Sequence, residues 1–197
     1  MDYKLFGLWD SNIVVADLGL KPYISLKPVV VPKSAGRNRQ RFHNAMYTNI
    51  VERLICKLRV SGHKGKKHKM SSGHNTGKSI LAYQIVIDAF KKIEAELKMN
   101  PVEVFVKALE NAAPREEITS IEYGGARYPQ AVESAPSRRI DIALRQMTQG
   151  AYSKSFNSKK PIVTCLAEEI IKAYRIDQTS QAIAKKLELE RQASSSR

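Results

Sequence analysis

Two adjacent glycines, Gly124-Gly125, sit between β-prone runs at residues 117–123 and 126–133, in a chain whose other apolar residues mostly recur with helical period. Glycine accepts the left-handed backbone that a two-residue hairpin loop demands, so this stretch is expected to form a β-hairpin at about residues 116–134. Pro129 has no N–H to give a ladder, which confines the second run to an exposed position. A lone hairpin is only marginally stable in water. One inserted between helices is therefore expected to rest on something else, such as the helical core or a bound partner.

The flanking periodicity sets the fold class. Met46, Ile50, Leu54 and Leu58 recur every four residues and form one apolar stripe on a helix expected from about Phe42 to Ser61-Gly62. Arg53, Lys57 and Arg59 fall off that stripe. A second helix is expected from Lys78 to Met99. Asn100-Pro101 with Glu103 has capping-box spacing, and starts a third that carries Val102, Phe105, Val106 and Leu109 and stops before Pro114. Beyond the hairpin, Pro136 opens a helix with Ile140, Leu144, Met147 and Ala151 on one face. Pro161 opens another with Leu166, Ile170 and Ala173, and a last charged helix starts near Ser180 and frays from Ala193. The expectation is a mainly α protein, a bundle of about six helices with a protruding β-hairpin between the third and fourth. Residues 1–41, punctuated by Pro22, Pro28 and Pro32, read as an N-terminal extension and extended arm. Residues 42–197 read as the helical domain.

Charge narrows the function. From Leu18 to Ile87 the only acidic residue is Glu52, against fourteen lysines and arginines, and the whole chain of 197 residues carries a net charge of +14. A surface of one sign repels itself until a polyanion neutralises it, and phosphate backbones do so with release of counterions. Hydrophobic residues make up 43% of the chain, enough for a packed core. Cys56 and Cys165 both lie in apolar stretches, which gives no disulfide framework and points to a reducing compartment. The longest apolar run, around residues 80–90, is interrupted by Gln84 and Asp88 and is too short to span a bilayer. The N-terminal stretch does not read as a signal peptide. A cytoplasmic protein with no membrane partner is expected.

Candidate RNA contacts follow from position. Arg37, Arg39 and Arg41 alternate in a stretch without apolar period and suit a peptide laid along a phosphate backbone. Lys64, Lys66, Lys67 and Lys69 fill a loop at residues 62–77. Lys78 opens a helix, where free N–H groups favour phosphate. Lys57 lies off the apolar stripe of the first helix. Arg138, Arg139 and Arg145 lie on a basic side of the fourth helix, with Arg138 and Arg139 placed to fork onto phosphates. Arg127 and Tyr128 of the hairpin, with Lys154, Lys159 and Lys160, complete the set.

Three enzyme-like or metal-like patterns fail. Gly73-His74-Asn75-Thr76-Gly77-Lys78-Ser79 resembles a phosphate-binding P-loop but has three residues between its glycines instead of four, and lacks a buried strand before it. Among Cys56, His63, His68 and His74 only the pair His63 and His68 fits a ligand spacing, and with Cys56 expected mid-helix no pairing anchors a compact metal site. Cys165 on an apolar face reads as a small buried thiol, and the adjacent carboxylate pairs Glu116-Glu117 and Glu168-Glu169 do not face each other. No catalytic residue, cofactor or metal is expected.

Three blocks in order carry a family resemblance. They are Val106-Lys107-Ala108-Leu109-Glu110-Asn111-Ala112-Ala113-Pro114-Arg115-Glu116-Glu117, then Tyr123-Gly124-Gly125-Ala126-Arg127-Tyr128-Pro129-Gln130-Ala131-Val132, then Pro136-Ser137-Arg138-Arg139-Ile140-Asp141-Ile142-Ala143-Leu144-Arg145. From about residue 42 onward the chain closely resembles the universal small-subunit ribosomal protein seven family. Its Ser-Ser-Arg ending is similar to the archaeal and eukaryotic branch. The resemblance implies a non-enzymatic constituent of the small subunit that binds the 3′ major domain of its rRNA and starts assembly of the subunit head. It also implies neighbouring head proteins as partners, with mRNA and the exit-site tRNA close by. Arg138 and Arg139 match the family's arginine pair after the hairpin, and Gly124-Gly125 match its double glycine. The loop at residues 62–77 is longer and richer in histidine than the family's usual Gly/Lys connection.

Overall fold

The computed structural model describes residues 3–35, 46–60 and 77–196. Six α-helices and one two-stranded antiparallel sheet follow a single 3-10 turn at Lys21–Tyr23. The helices are α1 (Ile50–Leu58), α2 (Ser79–Leu97), α3 (Pro101–Ala112), α4 (Pro136–Ser155), α5 (Ile162–Tyr174) and α6 (Gln181–Ser194). The strands β1 (Glu116–Tyr123) and β2 (Ala126–Glu133) lie between α3 and α4, as the double glycine leads one to expect.

The helix starts have identifiable causes. Asn100 Oδ1 accepts from the Val102 N–H, and Pro101 fills the first helical position of α3. Glu103 makes no return bond among the described residues, so only half of the expected capping box forms. Ser180 precedes α6, but its hydroxyl does not cap its own helix. Instead Glu169, fully buried in α5, accepts from Ser180 Oγ and the Ala182 N–H and takes the Lys154 ammonium at 2.5 Å. One carboxylate thus ties α4, α5 and α6 together.

The first helix departs from expectation. It starts at Ile50, not near Phe42, and ends at Leu58. Asn49 stops it: its side chain accepts from the Val51 N–H as an N-cap and donates to the Lys27 carbonyl. The Ile50 N–H meanwhile donates to the Ser25 carbonyl, so the helix start is pinned to the N-terminal segment.

The core is one cluster. α5 lies at its centre, packed by α2, α3 and α4. Phe90, Ile93, Phe105, Leu109, Ile140, Leu144 and Met147 are buried there, and Cys165 joins them, its thiol pKa raised by burial. Residues 3–35 keep the irregular path of an arm, and Val14 and Leu18 are exposed, but other apolar side chains of the segment turn inward. Leu5, Trp9, Val15, Leu20 and Ile24 are buried in the same cluster. Trp9 meets Phe90 edge-on at 5.8 Å, and its indole N–H donates to Glu94. The described part of the extension therefore belongs to the helical core.

Candidate nucleic-acid interface

The hairpin register pairs Ile121 with Tyr128, Tyr123 with Ala126 and Thr119 with Gln130. Directly opposed residues share a face, so this face is uncharged along its outer half. Gly124 and Gly125 have φ of +58° and +82°, the left-handed pair that a two-residue loop requires. Tyr123 is 82% exposed, and the outer hairpin stands clear of the core. Its base is fixed. Arg138 Nε and Nη2 donate to the two oxygens of Glu117 at 2.6 and 2.8 Å, and the Ser134 hydroxyl also donates to Glu117. The Arg138 hydrogen bond, helped by the Ser134 hydrogen bond and the guanidinium charge, holds the Glu117 carboxyl below its usual range against the effect of burial.

Several expected RNA contacts are engaged inside the protein. Arg139 donates from Nε to the Pro114 carbonyl at 3.0 Å and from Nη2 to Asp17 at 3.1 Å. Burial pushes the Asp17 carboxyl up, but the Gly19 N–H and the Arg139 charge outweigh it, and its pKa is lowered. Lys57 pairs with Asp141 at 3.3 Å, Lys154 with Glu169, Lys160 with Glu168 and Arg127 with Glu122. Arg53, off the apolar stripe of α1, is buried, donating to the Tyr23 carbonyl and Asp141. Burial raises the Asp141 carboxyl, and the charges of Lys57 and Arg53 bring it net below the usual value. Tyr128 is exposed on the hairpin.

Lys78, Arg145 and Lys159 are exposed and have no partner among the described residues. Lys78 immediately precedes the 19 residues of α2, whose first turn holds no acidic residue and whose N-terminus has no side-chain cap. Gly77-Lys78-Ser79 thus does open a helix. Arg37, Arg39, Arg41, Lys64, Lys66, Lys67 and Lys69 lie outside the described residues, as do His63, His68 and His74. Their anchor points do not. Ala35, Arg59 and Ser79, which lie at or near the sequence limits of the arginine stretch and the lysine loop, line one cleft. Lys33 lines that cleft too. Sequence reasoning passed over Lys33 and Arg59 as contacts; the acid-poor stretch that contains both was the available signal.

Among the described residues no group of His, Cys, Asp or Glu could hold a metal ion, and no helix is long and apolar enough to cross a membrane. Fold and surface define a basic, mainly helical binding protein with one exposed hairpin. A family profile described as "Ribosomal protein S7p/S5e" matches residues 20–197, and the chain belongs to that family. The family is structural and non-enzymatic. The chain is similar to "Small ribosomal subunit protein uS7" of Nanoarchaeum equitans, with 52% identity and full coverage of both chains. The protein of that name from Methanococcus maripaludis is 46% identical, again over all of both chains. That of Archaeoglobus fulgidus is 45% identical over 98% of this chain and 94% of its own.

Proposed function

We propose that the chain is a structural constituent of the small ribosomal subunit, in the cytoplasm. It acts as a primary binder of the 3′ major domain of the rRNA and nucleates assembly of the subunit head. Neighbouring head proteins are its partners, and mRNA and the exit-site tRNA lie close by. The observation that carries this reading is that Lys33 and Arg59 line one cleft together with Ser79, the residue after Lys78. A single phosphate-binding end can then be built from Arg37, Arg39 and Arg41 of the arm and Lys64, Lys66, Lys67 and Lys69 of the loop. Lys78 adds a fixed charge at a helix N-terminus, where free N–H groups favour anions. Arg145 and Lys159 extend the contact along α4 and beyond it.

The test is binding of the purified protein to a transcript of the 3′ major domain over a salt series. Six or more phosphate contacts predict a loss of roughly a thousandfold in affinity between low and physiological salt. Equal affinity for an unrelated structured RNA, or a flat salt dependence, would overturn the reading.

A further inference from the structure

Between α1, α2 and the N-terminal segment the molecule has a cleft of about 620 Å³. Its walls are mostly apolar: Val31 and Pro32 on one side, Ile55 of α1 on another, Ile80 and Tyr83 of α2 on a third. Ile80 is 77% exposed, an unusual position for a large aliphatic side chain on a basic face. Lys33, Glu52, Arg59 and Ser79 bring polar groups to these walls. Arg59 Nε is buried and has no hydrogen-bond partner among the described residues. Glu52 uses one oxygen, Oε1, to accept from the Ser34 N–H and hydroxyl at 2.8 and 2.7 Å, and Oε2 has no partner among the described residues.

We propose that this cleft receives one unstacked base of the rRNA, an inference that rests on the rRNA-binding reading above. A phosphate would meet the Glu52 carboxylate as well as the cations Lys33 and Arg59, and it would leave the apolar walls of Val31, Pro32, Ile55, Ile80 and Tyr83 without a matching surface. A base is the right occupant. It has an apolar face for Ile80 and Tyr83, and amino or imino donors for the second Glu52 oxygen. Its own phosphate would then fall near the N-terminus of α2, whose first residue, Ser79, also lines the cleft. The single acid of the acid-poor stretch thereby acquires a role that a uniform phosphate grip does not give it. It accepts from the donor that each base carries on its Watson–Crick edge, and no phosphate oxygen can replace that donor.

Cys56 also lines the cleft and is partly exposed, whereas Cys165 is fully buried, so iodoacetamide reports on the cleft alone. The experiment measures alkylation of Cys56 in the full-length protein with and without the 3′ major domain transcript, and the affinity of the Ile80→Ser variant. Removing Ile80 leaves the core intact, as its side chain is mostly outside it. The expected results are protection of Cys56 by the transcript and about a tenfold weaker affinity for Ile80→Ser, the scale of one lost base contact. The slope of affinity against salt should stay at the wild-type value, because no phosphate contact is removed. A wild-type protein that does not bind the transcript overturns the rRNA reading itself. A wild-type protein that binds it, while Cys56 remains equally reactive and Ile80→Ser binds normally, overturns the base pocket alone. Cys56 that is inert before RNA is added, in a protein that denatures to a reactive thiol, shows the cleft filled by the chain itself and also overturns it.

Discussion

Arg138 and Arg139 are neighbours in sequence and should behave as opposites in experiment. Arg139 has a side chain only 11% exposed; Arg138 is 64% exposed. Replacing Arg139 by alanine removes two charge-assisted hydrogen bonds and leaves the carbonyl of the buried Pro114 without its donor. A hydrogen bond to a charged group contributes about 1.5–3 kcal/mol, and an orphaned buried acceptor costs about 1–3 kcal/mol. These overlap, because the lost bond to Pro114 is counted in both. Asp17 is 27% exposed and can be rehydrated, so its share is small. The net expectation is a loss of about 3 kcal/mol. For Arg138 the guanidinium is largely exposed although Glu117 is only 13% exposed, and its bidentate pair contributes about 1 kcal/mol, still less than the loss at Arg139.

Urea denaturation followed by circular dichroism gives the comparison directly. Arg139→Ala should lower the midpoint strongly with little change in slope, and the melting temperature should fall by about 6–12 °C for a chain of this size. Arg138→Ala should melt close to wild type. Arg139→Lys should recover only part of the loss, since an ammonium cannot place two N–H groups in the planar fork that reaches Pro114 and Asp17 together. Equal midpoints for Arg139→Ala and wild type would refute the argument. So would an Arg139→Ala protein of full stability that has lost rRNA affinity, because that result restores Arg139 to the RNA surface.

Three other expectations can be checked with the same protein. The carboxyls of Asp17, Glu117 and Asp141 all lie below their ordinary values of 3.8 to 4.5, so each contributes stability above that range and loses it as pH falls through the lowered folded value. Urea midpoints should therefore drop between about pH 5 and pH 2, less steeply in Asp141→Asn, and a midpoint that rises on acidification contradicts the sign. Gly150→Ala should destabilise the fold by roughly 1–3 kcal/mol, because its Cβ would meet the Glu169 carboxylate at 3.1 Å and Gln181 Cβ at 3.0 Å; an unchanged melting temperature would mean that α5 and α6 can move away from α4 freely. Changing Lys64, Lys66, Lys67 and Lys69 together to serine should leave stability nearly unchanged but weaken rRNA binding and flatten its salt slope, and a variant with the wild-type slope removes the loop from the interface.

The regular elements were legible because their signals are local. Gly124-Gly125 between β-prone runs, and Asn100-Pro101 before an apolar period, act within a few residues. The start of α1 was misread because Met46 fits the four-residue period, while the cap at Asn49 depends on a pairing with Ser25 and Lys27 that the period does not report. The core role of Leu5, Trp9 and Leu20 was hidden for the same reason: an irregular segment has no period to betray which side chains turn inward. The site was least legible where charge was paired over distance. Arg139 reaches Asp17 across 122 residues, and Arg53 reaches Asp141 across 88. Composition reports a basic chain; it does not say which cations the fold has already neutralised.

Charge is divided between two ends of this molecule, and the division separates two kinds of contact. The hairpin strands carry Glu116, Glu117, Glu122 and Glu133 against Arg127 alone, so in a strongly basic protein they form an acidic projection. Arg127 is 76% exposed beside Glu122 at 3.6 Å, and its attraction for a phosphate is offset by that neighbour. Phosphate binding therefore does not explain the hairpin. What it presents is the uncharged face of Ile121, Tyr123 and Tyr128, which can stack or pack but cannot grip a backbone by charge. Contacts of that kind depend on position, and two strands alone would not hold one. Arg138 supplies the constraint: its fork onto Glu117, with Ser134 on the same carboxylate, fixes the angle of β1 against the start of α4. Glu117→Gln should thus leave the phosphate end and its salt slope intact while loosening the hairpin, seen as faster amide exchange in β1 and β2. Unchanged exchange in that variant would show that packing of β1 on α6 holds the angle without the ion pair.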